Sequence, residues 1–190
     1  MTTNKRRRET HLPGEEGVWM FIAGDMVMFG MFFLTFLYYR GIDPALFAEG
    51  QVNLNQTIGI VNTLLLLSSS WLVAKGVHAA RTGDARKLTM LVLGAVGCGL
   101  GFIALKVIEY SEKIASGFVV NTNDFYILYY MFTGIHLLHV FIGVGVLIFV
   151  VARSRRQAQL PIGLIESGAS FWHIVDVLWI VLFALFYLLP

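Results

Sequence analysis

Five stretches of this 190-residue sequence are each long and apolar enough to cross a bilayer: Val18–Tyr39, Thr57–Ala74, Leu88–Val107, Phe125–Ala152 and Ala169–Leu189. A helical span needs about 20 predominantly apolar residues. Inside hydrocarbon every backbone N–H and C=O must find a partner within the structure, which leaves helices or a closed barrel. The stretches are continuously apolar and lack the alternation of membrane strands. The sequence therefore predicts an all-α polytopic membrane protein, a bundle of five transmembrane helices forming a single domain over 1–190. Composition agrees, with 57% hydrophobic and only 14% charged residues and a mean hydropathy of +0.72, against about 25% charged in soluble domains. A first stretch this long after KRRR at 5–8, with no small-residue cleavage pattern behind it, reads as a retained span and not as a signal peptide.

Charge alternates along the chain. Lys5, Arg6, Arg7 and Arg8 precede the first span, Lys75, Arg81, Arg86 and Lys87 surround the second connection, and Arg153, Arg155 and Arg156 open the fourth. Those regions hold 11 of the 14 Lys and Arg residues. The first connection has Arg40 and the third Lys113. The positive-inside rule then predicts a cytoplasmic N-terminus, with 1–16 as a basic cytoplasmic tail, and a periplasmic C-terminus. Connections are short and marked by Gly41, Asp43 and Pro44, by Gly83 and Asp84, and by Pro161 and Gly163. Neighbouring spans should be antiparallel. Nothing in this composition points to nucleic acid, and lone Cys98 sits in an apolar span as a packing residue.

Polar residues inside the spans carry whatever chemistry the chain has, because each is costly to bury. Asp25 in the first span is either a hydrogen-bonded structural carboxyl or a proton-accepting group. Asn62 in the second should bond to a neighbouring helix. Lys106 and Glu109 can pair at i, i+3, and snorkelling to the outer interface would accommodate Lys106. His136 and His139 share the fourth span, His173 and Asp176 the fifth. His136 and His139 lie on one helix and cannot be opposite axial ligands of one haem. Measured from the inner ends of their spans, His173 lies four residues from Ala169, about 6 Å deep, and His139 thirteen residues from Ala152, about 20 Å deep, at 1.5 Å per residue. No catalytic residue, zinc signature or haem-attachment spacing is present, so the expectation is no metal and no cofactor. Gly97-x-x-x-Gly101 marks a helix-packing stripe.

Taken in order, FIAGDMVMFGMFF at 21–33, NTLLLLSSSW at 62–71, GDARK at 83–87, KVIEY at 106–110, TGIHLLHVFIG at 133–143 and ESGASFWHIVDVLW at 166–179 resemble the haem–copper oxidase (cytochrome c oxidase) subunit III family. The resemblance spans nearly the whole chain. It implies a non-catalytic accessory subunit that holds no haem or copper, packs on the catalytic haem-containing membrane subunit, binds phospholipids, and supports assembly, stability and proton uptake in a bacterial inner membrane. Asp25 falls where the family carries an intramembrane carboxyl near the proton-uptake side, and His139 falls on the family's second histidine. Larger members have seven spans, and this sequence matches the last five. The opening PGEEGVWMFIAGDMVMF, the short first connection and NTLLLLSSSW look most like the nitric oxide reductase-associated NorE form, with subunit III of an aerobic cytochrome c or quinol oxidase as the alternative. A stand-alone proton channel using Asp25, His139, His173 and Asp176 is the rival from another class, and it lacks the repeats and broken helices of transporters.

Overall fold

The computed structural model describes residues 16–156 and 162–189. The tail with Lys5 to Arg8 and the turn residue Pro161 lie outside the described residues. The chain forms α1 (Glu16–Ile42), α2 (Pro44–Val52), α3 (Gln56–Arg81), α4 (Ala85–Ala115), α5 (Asp124–Arg156) and α6 (Ile162–Phe183), and α6 ends in a π-helical turn, Ala184–Leu188. Five of these helices are long and apolar enough to span a membrane. The sixth, α2, is a short helix in the first connection where the sequence reading placed a turn. Asp43 caps it by accepting the Leu46 N–H at 3.1 Å, and Pro44 occupies its first turn, where no N–H is needed.

The other ends follow from local chemistry as well. Asn55 accepts the N–H groups of Thr57 and Ile58 to start α3, and Asp84 accepts that of Lys87 to start α4. Gly83 (φ +79°) and Gly117 (φ +86°) occupy the left-handed positions that close α3 and α4.

Neighbouring helices run antiparallel. Along α3 and α4, Gly76 meets Val92, Gly94 meets Leu72 and Gly101 meets Leu65. Along α5 and α6, Gly168 meets Val146 and Val150, and Gly143 meets Trp172. The most extensive packing joins α3 to α4, and α6 packs on α3 and α5, while α1 touches the bundle more lightly. Consequently α6 is the central helix, with Trp172, Val175, Trp179, Leu182 and Phe186 fully enclosed. One end of the bundle, the basic end, carries Arg81, Arg86, Lys87, Arg153 and Arg155. The other carries α2 and the π-helical turn.

Close approach of the helices depends on glycines other than the stripe read from the sequence. Gly97 is exposed and a Cβ there would meet nothing within 4 Å, and at Gly101 it would make ordinary contact with Leu65. Gly97 therefore faces outward, while Gly101 lies along the α3–α4 contact without requiring a glycine there. Trp172 is instead seated between Gly99 of α4 and Gly143 of α5, where an added Cβ would lie 2.9 Å and 2.7 Å from the indole. Gly59 gives room to Phe183 and Tyr187, and Gly50 to Phe125. The physical cause is helical phase: positions 99, 102, 106 and 109 turn toward the core, which turns 97 away and leaves 101 at the edge of the α3 contact.

Candidate functional site

Buried polar groups fall into three loci. At the α2 end, Lys106 and Glu109 on α4 are completely enclosed and lie 3.0 Å apart. This corrects the snorkelling reading of Lys106. The side chain points inward because it shares a face with Phe102 and Glu109, and it finds donors and acceptors there. Its ammonium also donates to the hydroxyls of Tyr129 at 3.1 Å and Tyr187 at 3.2 Å, and Tyr187 in turn donates to the other Glu109 oxygen. The rings of Tyr110, Tyr129 and Trp179 surround the ammonium. A buried ion pair is stable only when hydrogen bonds satisfy both charges, and here all three ammonium protons have acceptors. Nearby, Gln51 and Gln56 donate to the carbonyls of Leu185 and Tyr187 at 2.8 Å and 3.0 Å. The π-helical turn ends α6 and frees those carbonyls from the regular ladder. Sequence reasoning missed both glutamines, since each looks like an ordinary polar loop residue.

The second locus joins α1 to α5. Asp25 and His139 are both 7% exposed, and His139 Nε2 lies 3.4 Å from Asp25 Oδ2. His139 Nδ1 donates to the Ile135 carbonyl at 2.8 Å, because a carbonyl can only accept. That bond fixes the ring and leaves Nε2 facing the carboxyl. Phe29 packs edge-on against the imidazole at 5.6 Å and shields it. Histidine fixed by a backbone carbonyl and presented to a carboxyl can accept or return a proton.

The third locus lies between α3 and α6. His173 Nδ1 is 2.7 Å from Ser70 Oγ, and Asp176, 3% exposed, sits beside the same hydroxyl without a well-aligned hydrogen bond. His136 is fully buried against Phe102 at 5.7 Å and Trp179 at 5.4 Å, with neither ring nitrogen bonded to protein. Asn62 is also fully buried with its amide unbonded to protein. The bond expected from it to a neighbouring helix is not formed among the described residues; nearby cross-helix bonds of α3 include those of Thr63, which accepts from Trp179 at 3.0 Å, and Ser69, which donates to the Ala95 carbonyl at 3.0 Å.

Where the histidines point replaces the depth comparison made from sequence. α6 begins at Ile162, not Ala169, so His173 lies deeper than reckoned. Glu166, in its first turns, is paired with Arg81 at 2.8 Å. His139 and His173 nevertheless face different neighbours, Asp25 of α1 and Ser70 of α3. Among the described residues no group of three His, Cys, Asp or Glu side chains is arranged to hold a metal ion.

A helix bundle with these buried motifs in this order can be compared with known proteins. Residues 14–189 match the family described as "Cytochrome c oxidase subunit III". The chain belongs to that family. It is 34% identical over 177 residues to a cytochrome c oxidase subunit 3 of Thermostichus vulcanus, covering 91% of this chain and 86% of the relative. It is 35% identical to a cytochrome c oxidase subunit 3 of a Synechocystis strain, covering 91% and 74%. A quinol oxidase subunit 3 of Bacillus spizizenii is 27% identical, covering 91% and 85%. As a subunit III homologue, the chain is a multi-pass membrane subunit of the haem–copper oxidase type, with bacterial relatives.

Proposed function

We propose that this chain is subunit III of a bacterial cytochrome c or quinol oxidase. It acts there as a non-catalytic accessory subunit that steadies the catalytic haem-containing subunit and helps supply it with protons. The match over residues 14–189 carries this reading, because it embraces all five spans and not a single motif. The proton role rests on the Asp25–His139 pair, in which a fixed imidazole faces a carboxyl. The orientation proposed puts the basic end, with Arg81, Arg86, Lys87, Arg153 and Arg155, in the cytoplasm and the α2 end in the periplasm. An apolar groove of about 480 Å³ between α1, α5 and α6, bounded by Phe21, Ile142, Phe149 and Phe171, is the place proposed for a phospholipid acyl chain.

The NorE-like alternative, beside nitric oxide reductase, rests on the opening PGEEGVWMFIAGDMVMF, the short first connection and NTLLLLSSSW. The oxidase names of the relatives favour the oxidase over it. Purification of the affinity-tagged chain from its native membrane in mild detergent tests both. The expected result is a co-purifying haem-containing subunit that consumes oxygen. Consumption of nitric oxide instead would select the alternative. Purification without any haem-containing partner, or a stoichiometric haem band in the chain isolated alone, would overturn the accessory-subunit reading.

A further inference from the structure

At the basic end, α3 and α6 part to leave a cavity of about 250 Å³ that opens to the surface, bounded by Ala74, Val77, Arg81, Glu166, Ser170 and His173. Its rim is an ion pair: Arg81 Nε and Nη2 both donate to Glu166 Oε1, at 3.0 Å and 2.8 Å. Its floor is His173, whose Nδ1 is 2.7 Å from Ser70 Oγ. One helical turn deeper on α6 lies Asp176, enclosed and lacking a well-aligned protein partner. At about 30 Å³ per water molecule the cavity has room for several.

We propose that this vestibule is a proton inlet ending at Asp176, with His173 and Ser70 as the relay between cavity water and the buried carboxyl. An isolated carboxyl in apolar surroundings is costly to retain and marks a task or a partner. The polar group beside it is a hydroxyl, which both donates and accepts, and that hydroxyl is bonded to an imidazole, which does the same. A proton from cavity water binds one ring nitrogen, and the proton on the other nitrogen passes to Ser70 Oγ. The hydroxyl releases its own proton to the Asp176 carboxylate. The reverse sequence returns it, so no other reactant is consumed.

The inlet is closed at its inner end. Beyond Asp176, Trp179 has its N–H committed to Thr63 and packs on Phe102 at 4.8 Å and on His136. Further along, the Lys106 ammonium has all its donors occupied. Asp176 therefore exchanges protons with one side of the membrane and conducts none across it. Nor is the trio a hydrolytic triad. In such a triad the carboxyl holds the imidazole and the imidazole activates the hydroxyl, whereas Asp176 lies beside Ser70 and is not paired with the ring.

The test is infrared spectroscopy of the intact preparation reconstituted in lipid. Asp176→Asn identifies the carboxyl C=O band by its loss. Exchange into deuterated water should shift that band within the mixing time in the parent. It should be slowed about tenfold or more in His173→Gln, which keeps a hydrogen bond to Ser70, and in Ser170→Leu, which fills the cavity. Unchanged exchange in His173→Gln overturns the relay. Failure of Asp176→Asn to remove a band anywhere between about pH 5 and pH 9 overturns proton binding. Proton leak of reconstituted vesicles above that of protein-free vesicles overturns the closed end. None of these outcomes depends on which enzyme the chain joins.

Discussion

The two ends of the bundle treat buried charge in opposite ways. At the α2 end, Lys106, Glu109, Tyr129 and Tyr187 form a closed set with bonds of 3.0–3.2 Å around the ammonium. Toward the basic half, Asp25 and His139 stand 3.4 Å apart and Asp176 lacks a well-aligned partner. Both arrangements bury titratable side chains in an apolar bundle, but they differ in freedom. A closed network holds its protons and fixes geometry. A loosely met carboxyl with an imidazole or hydroxyl in reach keeps a proton movable. The contrast sets a closed ion-pair network at one end against loosely met carboxyls in the other half, and the proton exchange proposed above belongs to the latter.

The largest effect is expected at the closed end. Glu109→Leu leaves a buried ammonium without its counter-charge, and removing one partner of a buried pair costs about 3–5 kcal/mol. Chemical unfolding in mixed micelles should show a loss of that order. The double replacement Lys106→Met with Glu109→Leu should recover most of it, since no unpaired charge remains. A loss below about 1 kcal/mol in Glu109→Leu would mean the cluster is hydrated and the contrast between the ends is false.

A smaller effect separates inward from outward glycines. Gly99→Leu forces a side chain into the seat of Trp172, and overpacking of this kind costs about 1–3 kcal/mol. Gly97→Leu points into open space and should leave the unfolding midpoint of the isolated chain unchanged. If Gly97→Leu weakens co-purification with the catalytic subunit while leaving the chain itself stable, the outward face at Gly97 is a partner surface. If it destabilises the chain as much as Gly99→Leu does, the assigned helical phase of α4 is wrong.

How much of this was legible in the sequence depended on the physics behind each feature. The five spans were, because hydrocarbon demands length and apolarity, both visible residue by residue. So was the proximity in sequence of Lys106 and Glu109, since i, i+3 is fixed by the helix. Their depth was not, because a lysine can snorkel or turn inward, and the difference lies in Tyr129 and Tyr187, which are distant in sequence. Gly97-x-x-x-Gly101 was conspicuous as a motif, yet Gly99 and Gly143 receive the tryptophan, because rotation of a helix about its axis is set by every contact at once. The short helix α2 was signalled by Asp43 followed by Pro44, a cap and first-turn pair that was read as a turn alone. The His173–Ser70 contact joins residues 103 positions apart, and no local pattern announces it.

A small effect on stability, but the most informative one about function, is expected at Asp25. Asp25→Asn keeps a polar group of the same shape opposite His139 Nε2, and its amide can donate where a protonated carboxyl would. The Ile135 carbonyl continues to hold the ring through Nδ1, so the imidazole should not reorient. The cost in stability should be about 1 kcal/mol or less, the size of one altered hydrogen bond. An amide cannot take up or release a proton at this site, so proton exchange between the two partners ends. If the pair serves proton supply, a complex carrying Asp25→Asn should assemble in normal yield, with turnover that is slower or decays sooner during sustained reaction. His139→Gln should behave similarly, and the double variant no worse than either single one, because both remove the same shared proton. Normal turnover and durability in Asp25→Asn across the working pH range would reduce the pair to a clasp between α1 and α5. An additive loss in the double variant would show that Asp25 and His139 act through separate partners, and the basic half would no longer contain a proton-sharing pair.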